Sequence, residues 1–147
     1  MADQPEELDD ECSPGKIVDA RYAYTPEYEK ALREIEASGI CPFCYGNGKP
    51  MLAECGDWYL VECTPPHKNA KLHFLILPKD HRTDISELTK RDTVAKNFLV
   101  KWFREKYAPK GFGECIRHGE GVSIRHAHIH LIVPDFDGDA VYFGIGK

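Results

Sequence analysis

Between His126 and Val133 the chain reads HAHIHLIV, and no other segment constrains the fold so tightly. Three histidines alternate with Ala127, Ile129 and Leu131, the period of two that belongs to a strand with one face buried. On such a strand the imidazoles share one face, spaced by about 7 Å. A row of three histidines is hard to account for on a plain sheet surface, so this face is expected to carry chemistry. A neutral imidazole nitrogen can attack an electrophilic phosphorus and divide one difficult displacement into two. Histidines two apart on a strand can also share a metal ion, even all three of them. Just upstream, Gly119-Glu120-Gly121-Val122-Ser123 offers small residues, which let a backbone approach a phosphate, and a hydroxyl. Ser123 lies five residues before His128, on the opposite alternation, so a bulge or the strand onset is needed to turn its hydroxyl toward the site.

The remaining elements follow from period and punctuation. Thr25-Pro26 reads as an N-cap and first helical position, Tyr28, Leu32 and Ile35 follow at helical spacing, and Ser38-Gly39 ends a short helix. Trp58 to Cys63 and Leu72 to Leu77 read as strands stopped by prolines. Asp84 to Tyr107 returns to helical period, with Thr89 and Asp92 as a capping pair. Val94, Phe98 and Trp102 form an apolar stripe on this helix. Gly121 to Val133 is expected as one long strand, and Ala140 to Ile145 as a short last one. Helices bracketing hairpin-connected strands indicate an α+β class.

At 147 residues the chain suits one domain, and no run of apolar residues is long enough to span a membrane. The first twelve residues carry six acids and no base, so residues 1–16 are expected to be an acidic, disordered tail ahead of a domain over residues 17–147. Beyond those twelve residues 19 bases meet 18 acids, and the near-neutral balance decides nothing about nucleic acid. The tryptophans and tyrosines fall at core spacing and build no stacking platform, so no nucleic-acid partner is expected. The acidic N-terminus lacks the basic and apolar regions of a signal peptide, and a cytoplasmic location is expected.

Six cysteines in such a chain argue against a disulfide framework. Cys41-Pro42-Phe43-Cys44, followed by a Gly-rich turn, has the shape of a metal knuckle. A redox dithiol is the competing reading, but that motif belongs at a helix start after a strand. A pair of buried small hydrophobes is a third. His73, on an apolar run, reads as a hydrogen-bonded core histidine; His67 and His118, in turn-like stretches, read as solvated.

HAHIHLIV, the block from His73 through Pro78-Lys79-Asp80-His81 to Ile85-Ser86-Glu87-Leu88, and CPFC occur in an order that resembles the histidine triad (HIT) superfamily of nucleotide hydrolases and transferases. The likeness spans about residues 40–133. It implies an antiparallel sheet of about five strands with a long helix, often dimerised through that helix. It implies His128 as the nucleophile that becomes nucleotidylated, and Ser123 as the residue that protonates or orients the leaving group. It places His130 by the phosphate with its carbonyl holding the nucleophile, and Gly121, Ser123 and His130 as the phosphate contacts. Zinc-containing members imply Cys41, Cys44, His81 and His126 as ligands of a structural Zn²⁺, with no catalytic metal required; by spacing alone Cys55 or Cys63 could replace a histidine. The expected substrate is a purine nucleotide: a nucleoside phosphoramidate or a dinucleoside polyphosphate. A zinc-stabilised nucleotide-binding or adaptor module without turnover is the alternative. The chain departs from the common pattern at Val122, where many relatives carry an amide, and after Pro134.

Overall fold

A computed structural model describes residues 26–44, 50–64, 66–119 and 124–143. The acidic tail, Gly121 and Ser123 lie outside these residues. In chain order the elements are α1 (Pro26–Ser38), β1 (Ala53–Cys55), β2 (Trp58–Glu62), β3 (Ala70–Pro78), α2 (Lys90–Tyr107), β4 (Gly113–Ile116) and β5 (Ile129–Pro134). The five strands form one open antiparallel sheet in the order β1-β2-β3-β5-β4. This is the α+β architecture expected from the sequence.

Alternation sorts the two sheet faces. Leu60, Phe74, Ile76, Ile129, Leu131 and Val133 point toward α2 and meet Ala95, Leu99 and Phe103 in the main core. Tyr59, Val61, Leu75 and Leu77 form a second apolar cluster, which Phe43 and Met51 partly cover. Leu32 of α1 packs with Cys41 and Ile124, tying the N-terminal helix to the segment that precedes the triad.

The stripe read on the long helix for pairing two chains faces outward at Val94 and Phe98, while a second apolar row beside it covers the sheet. Val94 and Phe98 are 62% and 54% exposed, whereas Ala95, Leu99 and Phe103 beside them are buried. The helix carries apolar residues on two adjacent rows, and the row of smaller side chains allows closer approach to the sheet. The helix starts at Lys90, directly after its expected cap at Thr89; ahead of it, Asp84 caps a turn by accepting from the Ser86 N–H.

The expected long strand over 121–133 is likewise corrected, since the ladder begins only at Ile129. The preceding segment is anchored sideways: the Ala127 N–H donates to the Arg82 carbonyl and His126 Nε2 donates to the Pro78 carbonyl. Residues 140–143 form no strand; the Asn69 side chain donates to the Ala140 carbonyl and His67 Nε2 to that of Tyr142, while 144–145 lie outside the described residues.

The capping pair is part of a larger buried network. The Asp92 N–H donates to Thr89 Oγ1 and the Thr89 N–H to the Asp92 carboxylate, a complete capping box. The same carboxylate accepts from Trp58 Nε1 at 2.9 Å and from both terminal nitrogens of Arg82 at 3.0 Å. Arg82 foremost, then Trp58 and Thr89, hold the Asp92 carboxyl well below the usual carboxylate range. Removing it leaves the two terminal nitrogens of Arg82, whose Nε alone stays on Asp80, and the Trp58 indole N–H without this acceptor, so Asp92→Ala is expected to cost about 3 kcal/mol in urea unfolding. A depressed carboxyl contributes stability that is complete above its unfolded pKa of about 4 and is lost as the pH falls below that value. Asp92→Asn is therefore expected to flatten the acid side of the stability profile.

Candidate functional site

Cys41 and Cys44 lie in the turn after α1, His81 in the loop after β3, and His126 before β5. Their ligand atoms all lie within 4.8 Å of one another. Nδ1 of His126 is 3.5 Å from Cys41 Sγ and 3.7 Å from Cys44 Sγ, and Nδ1 of His81 is 3.4 Å from Cys44 Sγ. A tetrahedral ion with bonds of about 2.3 Å to sulfur and about 2.0 Å to nitrogen holds such pairs about 3.5 Å apart. Because His126 Nε2 carries its proton to the Pro78 carbonyl, the lone pair of Nδ1 faces the thiols, as a ligand requires. His81 Nε2 is buried with no partner among the described residues. The Cys44 sulfur beside it, then His126 and His81, pull the Cys41 thiol far below its ordinary range against the effect of burial. These residues fit a closed metal centre of the zinc type. Cys55 and Cys63 take no part in it: Cys55 packs against the main core and Cys63 against the second cluster.

Of the triad only His126 joins this group. His128 Nδ1 donates to the His126 carbonyl at 2.7 Å, so the lone pair is on Nε2. This corrects the carbonyl expected to hold it, which is that of His126 and not that of His130; the bond from His126 is possible because residues 126–128 are not in the ladder. Burial is the main force that holds the His128 pKa down to about 4, so the ring is neutral at neutral pH.

His130 is fixed through a histidine relay. The His67 N–H donates to His73 Nδ1 at 2.9 Å, so His73 carries its proton on Nε2. That nitrogen lies 2.8 Å from His130 Nδ1 and donates to it, which leaves the His130 proton on Nε2. Burial, followed by the neighbouring His128 and His73, keeps His130 far below the ordinary histidine range and neutral. His73 is thus the hydrogen-bonded core histidine expected. His67 is not solvated as expected: it is half-buried and packs against Phe143, with ring centres 4.9 Å apart. His118 is exposed, 3.7 Å from Asp84.

Two neighbours escaped the sequence reading. Phe43, between the cysteines, sets its ring edge against His128 at 5.1 Å, and its carbonyl accepts from the Tyr59 hydroxyl. Phe143 lies 4.6 Å from His130 and carries the Arg117 guanidinium over its face. The knuckle spacing drew attention to the cysteines and not to the residue between them. Phe143 falls in a segment read as a plain strand.

No protein-family model matches the chain, and no curated protein sequence matches it significantly. Solved structures do. A Hit-like protein is 22% identical, the match covering 59% of this chain and 89% of that one, with a TM-score of 0.51. A HIT family hydrolase from Clostridium thermocellum is 18% identical over 76% of this chain and 96% of that one, also at 0.51. The chain has the fold of the HIT family proteins, and it carries a Cys41, Cys44, His81 and His126 group able to hold a metal.

Proposed function

We propose that this protein is a HIT-type nucleotide hydrolase or nucleotidyl transferase that works through a covalent nucleotidyl-His128 intermediate. The observation that carries this reading is the His128 ring: neutral, with Nδ1–H bound to the His126 carbonyl and Nε2 left as a base. Nε2 attacks the α-phosphorus of a nucleoside phosphoramidate or dinucleoside polyphosphate. The new P–N bond forms as the bond to the leaving group breaks, and the leaving group departs with its electron pair and takes up a proton. Water then attacks the same phosphorus, releases the nucleoside monophosphate and returns the lone pair to Nε2. His130, with its proton on Nε2, is a donor for a phosphoryl oxygen. Gly121 and Ser123 complete the phosphate contacts in this reading; the Ser123 hydroxyl hands its proton to the leaving group, and the proton released by the attacking water restores it.

Cys41, Cys44, His81 and His126 would hold a structural Zn²⁺, which supplies cross-linking of the N-terminal turn to the triad segment and no step of the reaction. Turnover of a panel of adenosine and guanosine phosphoramidates and diadenosine polyphosphates tests the reading; a zinc-loaded protein inert to all of them contradicts it. Ser123→Ala is expected to slow amine-leaving substrates at least tenfold more than phosphate-leaving ones, because the poorer leaving group needs the proton more. Equal slowing of both would remove Ser123 from that role.

The reading includes a homodimer through the outer face of α2, in the cytoplasm. Exposed Val94 and Phe98, one turn apart, support this pairing. Light scattering at micromolar concentration is expected to give twice the chain mass of 16.7 kDa, and Phe98→Glu to give the monomer. A monomeric wild-type protein would refute it. No helix among the described residues is long and apolar enough to cross a membrane.

A further inference from the structure

Arg117 is the first residue after β4, and the register of the sheet aims it at the triad. Across β4 and β5, Cys115 pairs with His130 and Ile116 with Ile129. Arg117, two residues after Cys115, falls on the same face as Cys115 and His130 at the end of the ladder, next to the segment that holds His128. Directly opposed residues of an antiparallel pair lie on one face of the sheet. Side-chain positions agree with this register. The guanidinium carbon lies 3.7 Å from the centre of the Phe143 ring, that ring 4.6 Å from His130, and the His130 ring 4.8 Å from His128.

A site built this way has a charge problem. The α-phosphate it receives is anionic, and its non-bridging oxygens need stabilising as phosphorus passes between nucleophile and leaving group. By their hydrogen bonds, His128 offers the lone pair of Nε2 and His130, which accepts at Nδ1, offers one N–H; neither arrangement brings a formal positive charge. Arg117 offers that charge on the correct face. Its stack on Phe143 engages the flat of the guanidinium, while the N–H groups lie in the plane and are the part that grips two phosphate oxygens in a fork.

We infer that Arg117 is a further catalytic residue, its guanidinium holding the non-bridging oxygens of the α-phosphate while His128 Nε2 attacks. The inference rests on the reading of His128 as the nucleophile. Arg117 exchanges no proton in the step: the P–N bond forms, the bond to the leaving group breaks, and the guanidinium keeps its charge throughout. Phe143 is then a positioning residue that fixes the plane of the fork.

The test is calorimetric titration of the full-length, zinc-loaded protein with two pairs of ligands, AMP against adenosine and GMP against guanosine. The wild type is expected to bind at least one monophosphate more tightly than its nucleoside. Arg117→Gln is expected to weaken that monophosphate tenfold to hundredfold and to leave the nucleoside unchanged, with Arg117→Lys recovering part of the loss. Arg117→Gln that keeps the wild-type preference for the monophosphate overturns the assignment. So does equal weakening of nucleoside and monophosphate, the mark of a merely structural residue. A wild type that binds none of the four ligands overturns the nucleotide reading itself, and the role of Arg117 with it.

Discussion

His128→Ala is expected to lower turnover of any phosphoramidate or polyphosphate substrate by roughly four powers of ten or more, the scale seen when a covalent nucleophile is deleted. The fold has little reason to notice. The ring keeps some exposed surface, it is not one of the residues that fill the core, and its polar partner is a backbone carbonyl two residues before it. The melting temperature is expected to move by only a few degrees, and affinity for a nucleoside monophosphate by less than tenfold, because Arg117 and His130 still face the phosphate. Steady-state kinetics, thermal unfolding and calorimetry of one variant therefore separate a chemical role from a structural one. A His128→Ala protein that turns over at a tenth of the wild-type rate would remove the covalent route.

Stripping the metal is expected to act in the opposite order, on stability first. The ligand group joins the turn after α1, the loop after β3 and the segment before β5, which lie outside the strands and meet the sheet through single hydrogen bonds such as Tyr59 to the Phe43 carbonyl and His126 to that of Pro78. A ligand that binds only the folded chain contributes about 4 kcal/mol when its free concentration is a thousand times its dissociation constant. For a chain of this size that corresponds to a fall of roughly 10 °C in melting temperature on chelation. Metal analysis is expected to give about one zinc per chain before treatment. His126→Ala and Cys41→Ala are expected to start at the lowered melting temperature and to be indifferent to chelator. Activity falls as well, since the backbone of His126 holds the nucleophile while its ring faces the thiols. A wild type that is zinc-free after metal-replete expression, or unmoved by chelator, would contradict this account.

The sequence made the centre of the molecule legible and the periphery much less so. The alternation of HAHIHLIV identified a half-buried strand because its apolar residues face a helix while its histidines face the other way. The ligand group was readable because metal chemistry restricts residue type and spacing so strongly. Strands β1 and β4 were not read: both are short, partly polar and on the sheet edges, and they exist through backbone pairing with a neighbour more than through burial of their own. The core face of α2, Ala95, Leu99 and Phe103, was not read, because two apolar rows run side by side and only the sheet decides which is covered. Arg117 could not have been found from sequence at all. Its place on the face of His130 depends on a register between two strands separated by a long connection, and one residue of slip would send it to the other face.

Mass spectrometry of rapidly quenched turnover tests the central claim most directly. With a good substrate mixed at high enzyme concentration and stopped within milliseconds, digestion at neutral or alkaline pH is expected to yield a peptide spanning His126 to His130 that carries one added nucleoside monophosphate. Fragmentation is expected to place the addition on His128, and the adduct to disappear as the substrate is exhausted. Rapid turnover with no adduct on any histidine at any quench time, or an adduct on His126 or His130 with His128 unmodified, would contradict the account.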